Sequence, residues 1–329
     1  MRKSAEAAAA ACLETASSEL PARPARFGSR SRTVLSYLAA LAIIVAIARD
    51  VPLAALLGAL ARARIGLFAT TVVLAFAGWF FGETLLFSRL FTYFHGRTTF
   101  RETLAANAAQ YFLQLVNVAV GSGALIVFLK KRKSAHWLDG ACTLLFQALI
   151  DFQVMIAMAL AGLTIAPQSS LRGFGWYLTA MLGALWLVAW FWMRGRPHMR
   201  WMQRIYDLPA MGAFRTARPR HYLSLSLIRA AIFGFQGFAL YFEMRAFGLQ
   251  VPLTMTLALA PVILLIASLP LTPVGLGSEQ AAMVMCFRNF APAADVLTVS
   301  LAISAGNMIC RILLGLIFPH AIESFDETL

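Results

Sequence analysis

The chain has 329 residues, 60% of them apolar and 13% charged, with a formal charge of +13 and a mean hydropathy of +0.72. Its apolar residues come in runs near the ~20 needed to cross a bilayer, which excludes an ordinary water-soluble domain. The basic residues lie between those runs, as in cytoplasmic loops, which argues against nucleic acid as a partner. Cys12, Cys142, Cys286 and Cys310 are scattered without a CxxC pair, so neither a disulfide framework nor a zinc site is expected.

Along the chain, residues 1–32 are rich in Ala, Ser, Pro and Arg and are expected to form a disordered basic cytoplasmic tail. The first apolar run starts too late for a cleavable leader, and Arg23, Arg26, Arg30 and Arg32 hold this end inside. Apolar runs follow at 33–48, 65–88, 103–129, 137–165, 174–193, 221–244, 252–290 and 292–319, with a short interfacial piece at 52–60. The run 103–129 lies between Arg89, Arg97 and Arg101 on one side and Lys130-Lys131-Arg132-Lys133 on the other. One crossing would export one of these clusters, and the run is too short to cross twice. It is therefore expected to be a re-entrant hairpin from the cytoplasmic side, broken at Gly121 and Gly123 and buried against protein. The run 252–290 is the second hairpin, opening on the outer face, and the acidic residues 321–329 return to the cytoplasm.

Val120-Gly121-Ser122-Gly123 and Val274-Gly275-Leu276-Gly277 share the pattern VGxG, 154 positions apart. The same shift carries 65–90 onto 219–244 and 137–165 onto 291–319. An odd number of crossings in each half makes the second half inverted relative to the first, the arrangement of many transporters. The expected fold is thus an all-α integral membrane protein of about six crossings and two broken hairpins. Its halves are 33–170, with hairpin 103–129, and 171–320, with hairpin 252–290.

Ionisable groups in a span cost several kcal/mol unless they face a partner or water. Glu83, Asp151, Arg229, Glu279 and Arg311 all lie in or at the ends of expected spans. Polar residues also follow helical stripes: Asn107, Gln110, Gln114 and Asn117; Thr143, Gln147 and Asp151; Arg229, Gln236 and Glu243; and Ser300, Ser304, Asn307 and Arg311. These stripes either glue helices together or line a polar cavity between the halves. In the segment 268–284, Pro270 and Pro273 stop one helix and Gly275 and Gly277 let the backbone turn. Ser278 then has the chemistry of an N-cap for a helix carrying Glu279, whose free N–H groups favour an anion. The candidate substrate-binding site is Glu279, Gln280, Arg311, Asn307, Ser304, Asp151, Asn117 and Gln114.

Leu269 to Ala282, reading LPLTPVGLGSEQAA, resembles the signature loop of the lysylphosphatidylglycerol synthase/flippase transmembrane family. Pro292 to Leu316 resembles its last helix, and Asn117 to Lys133 and the Asp151 helix fit its first half more loosely. Where the family reads Pro-Gly-Gly-Leu-Gly-x-x-Glu, this chain has Val274 for the first Gly and Gln280 at the Glu position, with Glu279 one residue early. The family's last-helix Arg falls near Ser304, and Arg311 lies two turns on. The resemblance implies a stand-alone membrane domain that binds or translocates phospholipids, polyprenyl lipids or glycolipids across a bacterial-type inner membrane. Lipid aminoacylation is not expected.

From the residues themselves, a proton-coupled transporter of a small anionic solute is the alternative, with Glu279 or Asp151 carrying the proton; a scaffold with no transport role is a third reading. No P-loop is present to drive transport by ATP. His95, His136, His198, His221 and His320 show no metal or catalytic spacing, so no enzyme, cofactor or metal is expected. The expected partners are membrane lipids, a second copy of the chain or a separate lipid-modifying enzyme.

Overall fold

The computed structural model describes residues 61–115, 118–133, 137–165, 174–193, 212–268 and 277–318, with Gly58 and Gln203. The expected tails, the run 33–48, nearly all of 52–60, and Asn117, Pro270, Pro273 and Gly275 lie outside the described residues. Ten helices, and no strand, are bounded among those described: α1 (Ile65–His95), α2 (Phe100–Leu113), α3 (Val118–Lys133), α4 (Trp137–Ile165), α5 (Phe174–Met193), α6 (Gly212–Thr216), α7 (Pro219–Ala246), α8 (Leu253–Ser268), α9 (Ser278–Phe287) and α10 (Ala293–Ile317).

Four of them, α1, α4, α7 and α10, are long and apolar enough to cross a membrane, with 31, 29, 28 and 25 residues. Local chemistry fixes several starts. Thr99 and Glu102 exchange side-chain-to-backbone hydrogen bonds ahead of α2, a reciprocal cap that satisfies two otherwise orphaned N–H groups. Pro219 opens α7, where its missing N–H is harmless.

Contacts between helix ends give their directions. Arg62 and Asp295 pair at 3.1 Å beside the starts of α1 and α10, and the Arg64 N–H donates to the Ala246 carbonyl at the end of α7. At the opposite end, His95 Nε2 lies 2.8 Å from Thr143 Oγ1, near the start of α4. So α1 and α10 run one way, and α4 and α7 the other. Helices α2 and α3 pack on each other and lie between the end of α1 and the start of α4. Helices α8 and α9 likewise pack together between the end of α7 and the start of α10. At 14, 16, 16 and 10 residues, none of these four reaches the ~30 Å of a hydrocarbon core at ~1.5 Å per residue.

Packing crosses between the sequence halves: α7 lies on α1 and α8 on α4. Gly162 of α4 sits so close to α8 that a Cβ there would come within 1.9 Å of the Ala258 carbonyl oxygen, the small-residue contact by which membrane helices approach.

Two sequence expectations are corrected. Gly121 and Gly123 do not break the first hairpin; both lie inside α3, and the interruption falls between Leu113 and Val118. Gly121 is instead a close-approach position, where a Cβ would meet Gln114 Cγ at 2.4 Å and the Gln110 carbonyl at 2.8 Å. Ser278 is not the N-cap of α9 but its first residue. Gly277 takes the cap position, with φ 94°, a left-handed conformation that glycine adopts without steric cost.

Candidate functional site

Each of the long helices other than α10 contributes one ionisable side chain to a buried cluster. Arg229 on α7 is 1% exposed and forms a fork onto Asp151 of α4, through Nε to one carboxylate oxygen and Nη2 to the other. Its Nη1 donates to Glu83 of α1 at 3.1 Å. Further donors reach the carboxylates: Tyr111 of α2 donates to the other Glu83 oxygen, Oε2, at 2.7 Å, and Gln147 adds a second donor to Asp151 Oδ2 at 2.5 Å. Phe233 and Trp79 place ring faces 5.3 and 5.9 Å from the guanidinium carbon, adding cation–π attraction in a desolvated place. Two carboxylates against one guanidinium leave the cluster formally one charge negative. Arg311 of α10 supplies the balancing cation at the margin, 5.4 Å from the Tyr111 ring centroid.

A second polar group gathers where α9 starts. Gln280 is wholly buried; its carbonyl accepts from the Gly277 N–H at 2.5 Å and its amide donates to Ser304 of α10 at 2.9 Å. Both polar ends of Gln280 are therefore spent in bracing α9 against α10. Glu279, the next residue back, is half-buried and feels the charge of Arg311. It also feels Glu243 of α7, whose side chain is 3% exposed. Among the described residues neither Glu243 nor Glu279 has a hydrogen-bond partner. Asn107 of the first hairpin is fully buried and donates to the Phe80 carbonyl and to Thr84 Oγ1, while its own carbonyl oxygen, like those of Gln110 and Gln236, is unpartnered among the described residues.

Of the residues singled out from sequence, Asp151 joins the α1–α7 cluster, whereas Gln280, Ser304, Glu279 and Arg311 converge along α10. Asn307 lies half-buried on α10 between Ser304 and Arg311. Gln114 is held near the inner end of the first hairpin, against Gly121. Both hairpins thus reach α10 near their inner ends, Gln280 at Ser304 and Tyr111 beside Arg311, about 10 Å apart at ~1.5 Å per residue. Sequence reasoning left Glu83, Arg229, Tyr111 and Glu243 out of the candidate set. Glu83 and Arg229 carried a usable signal, a charge inside an apolar run; Tyr111 carried none.

The family model described as "Lysylphosphatidylglycerol synthase TM region" matches residues 33–315, and the chain belongs to that family. Comparison with curated proteins gives no match.

Proposed function

We propose that this member of the lysylphosphatidylglycerol synthase transmembrane family translocates a phospholipid, polyprenyl lipid or glycolipid between the leaflets of an inner membrane. The head group passes between two inverted halves while the acyl chains stay in hydrocarbon. In this reading α1 to α4 and α7 to α10 are the halves, and α2–α3 and α8–α9 are re-entrant hairpins entering from opposite faces. The opposed directions of α1 and α7, and of α4 and α10, support it, as do the short hairpin helices. The match to a family whose description concerns a lipid synthase places lipid handling first. Both termini are assigned to the cytoplasm on the distribution of Lys and Arg.

The observation that carries the reading is the charged chain from Asp151 through Arg229, Glu83 and Tyr111 to Arg311. It runs across the middle stretches of helices that otherwise bury hydrocarbon. Charges at such depth mark substrate routes and the polar frames beside them, and Arg311, at the margin of this chain, has the chemistry to meet a phosphate there.

The test is head-group transfer in proteoliposomes carrying fluorescent phosphatidylglycerol or polyprenyl phosphate. Arg311→Ala and Glu279→Gln should each slow transfer at least about tenfold, the effect of losing ~1.4 kcal/mol of stabilisation, while eluting as wild type on size exclusion. Wild-type rates in both would remove the site. Cysteine labelling at Lys131 should come from the cytoplasmic side.

The carboxylates of Glu243 and Glu279, without a hydrogen-bond partner among the described residues, favour a second reading, a proton-coupled carrier of a small anionic solute. Solute uptake driven by a proton gradient, with no lipid transfer, would select it.

A further inference from the structure

At the end of the bundle where α7 stops and α10 begins, several buried oxygens have no donor. Glu243 of α7 is 3% exposed, and the charge acting on it is that of Glu279 on α9. Ser300 of α10 is fully buried and its hydroxyl has no partner, not even the carbonyl one turn back that Thr298 takes on the same helix. It lies one turn from Ser304 on the same face, where Gln280, the neighbour of Glu279, meets α10. Gln236, two turns from Glu243 on the same face of α7, keeps a buried amide oxygen without a donor. At ~1.5 Å per residue, Glu243 is about 5 Å in from the end of α7 and Ser300 about 10 Å in from the start of α10. On the same scale Gln236 and Ser304 are each about 15 Å in. The oxygens form a ladder that descends from this end toward Arg311.

We propose that Glu243, Ser300 and Glu279 hold one alkali cation of sodium size. Charge argues for a cation. Four acids on these helices, Glu83, Asp151, Glu243 and Glu279, face two arginines, Arg229 and Arg311. Glu279 has Arg311 and the N–H groups of the first turn of α9. Arginines near the Glu243 end are engaged elsewhere, Arg245 with Gln250 and Arg62 with Asp295. Burial argues for a small ion, since a carboxylate 3% exposed admits a bare ion far more readily than a lipid head group. The number of oxygens argues against a proton. A proton would neutralise one carboxylate and leave the Ser300 and Gln236 oxygens unused, whereas a hard cation draws on several oxygen ligands at once. Among the described residues no third Asp, Glu, His or Cys joins the pair to favour a divalent ion. The site stands whichever cargo moves. Its use as a driving ion rests on the transport reading, in which coupling ions sit beside broken helices such as the start of α9.

The full chain, purified in detergent in sodium-free choline chloride at about pH 8 so that protons do not compete, is titrated with radioactive sodium. Saturable binding is expected, weakened at least about tenfold by Glu243→Gln and about threefold by Ser300→Ala. Leu227→Ala, on the lipid-facing side of α7, should bind as wild type. Sodium should also raise the melting temperature of the wild type above its value in choline. Glu243→Gln should melt as wild type in choline and lose that rise, which separates a lost site from a lost fold. Absence of saturable binding overturns the proposal, and so does binding unchanged in both variants. A melt that follows pH and ignores sodium overturns it too, since a proton then fills the site. Vesicle assays with and without a sodium gradient separate this inference from the transport reading. Binding by a protein that moves neither lipid nor solute keeps the site and removes transport, and transfer by a protein that binds no sodium does the reverse.

Discussion

Around Arg229 each guanidinium nitrogen and each oxygen of both facing carboxylates has a protein partner, whereas around α9 the carboxylates of Glu243 and Glu279 have no hydrogen-bond partner among the described residues. Both regions set charge into apolar helices, yet only one is closed upon itself. A closed set of buried charges holds helices in register and is strongly disrupted when one member is lost. An open set keeps its interactions available to something that arrives. Under the proposed function the first region is the frame of the site, with Arg311 at its margin, and the second is the part that would meet cargo.

The sharpest way to break this contrast is Arg229→Met, which strands Glu83 and Asp151 without a cation. A stability loss of about 3–5 kcal/mol is expected in thermal or denaturant unfolding in detergent, and a wild-type melt would show that the cluster is not the frame. Tyr111→Phe removes one buried hydrogen bond to the Glu83 carboxyl and should cost about 1–3 kcal/mol in the same measurement. Gln280→Ala leaves the Gly277 N–H and the Ser304 hydroxyl without their neutral partner. About 1–2 kcal/mol is expected, with faster amide exchange at the start of α9. Glu243→Gln should be nearly silent, within ~1 kcal/mol or slightly stabilising, because no paired group is left behind. A larger loss would reveal a partner and erase the difference between the two regions.

Much of the architecture was legible because its signal is local. The runs 137–165 and 174–193 coincide with α4 and α5, and 221–244 and 292–319 fall within about two residues of α7 and α10, since a span must be apolar along its length. The interruption in 103–129 was legible from charge parity, but its position was not. Glycine marked close approach to a neighbouring helix there, and a one-dimensional pattern cannot separate that use from a turn. The pairing of Arg229 was beyond the sequence for another reason: its partners lie 78 and 146 positions away. Helical periodicity relates residues on one helix and says nothing of which faces of three helices converge. Gln280 illustrates the same limit, since the family pattern marks its position but only the fold shows both its ends engaged by protein.

The wide separation of Arg229 from its two acids bears on how the chain is made. Glu83 and Asp151 leave the ribosome well before Arg229 does, so for a time two acids occupy the nascent bundle without their counter-ion. Until α7 is inserted, that early intermediate must keep them hydrated at its margin or sheltered by the insertion machinery. Lateral release of α7 is then the event that seals the bundle.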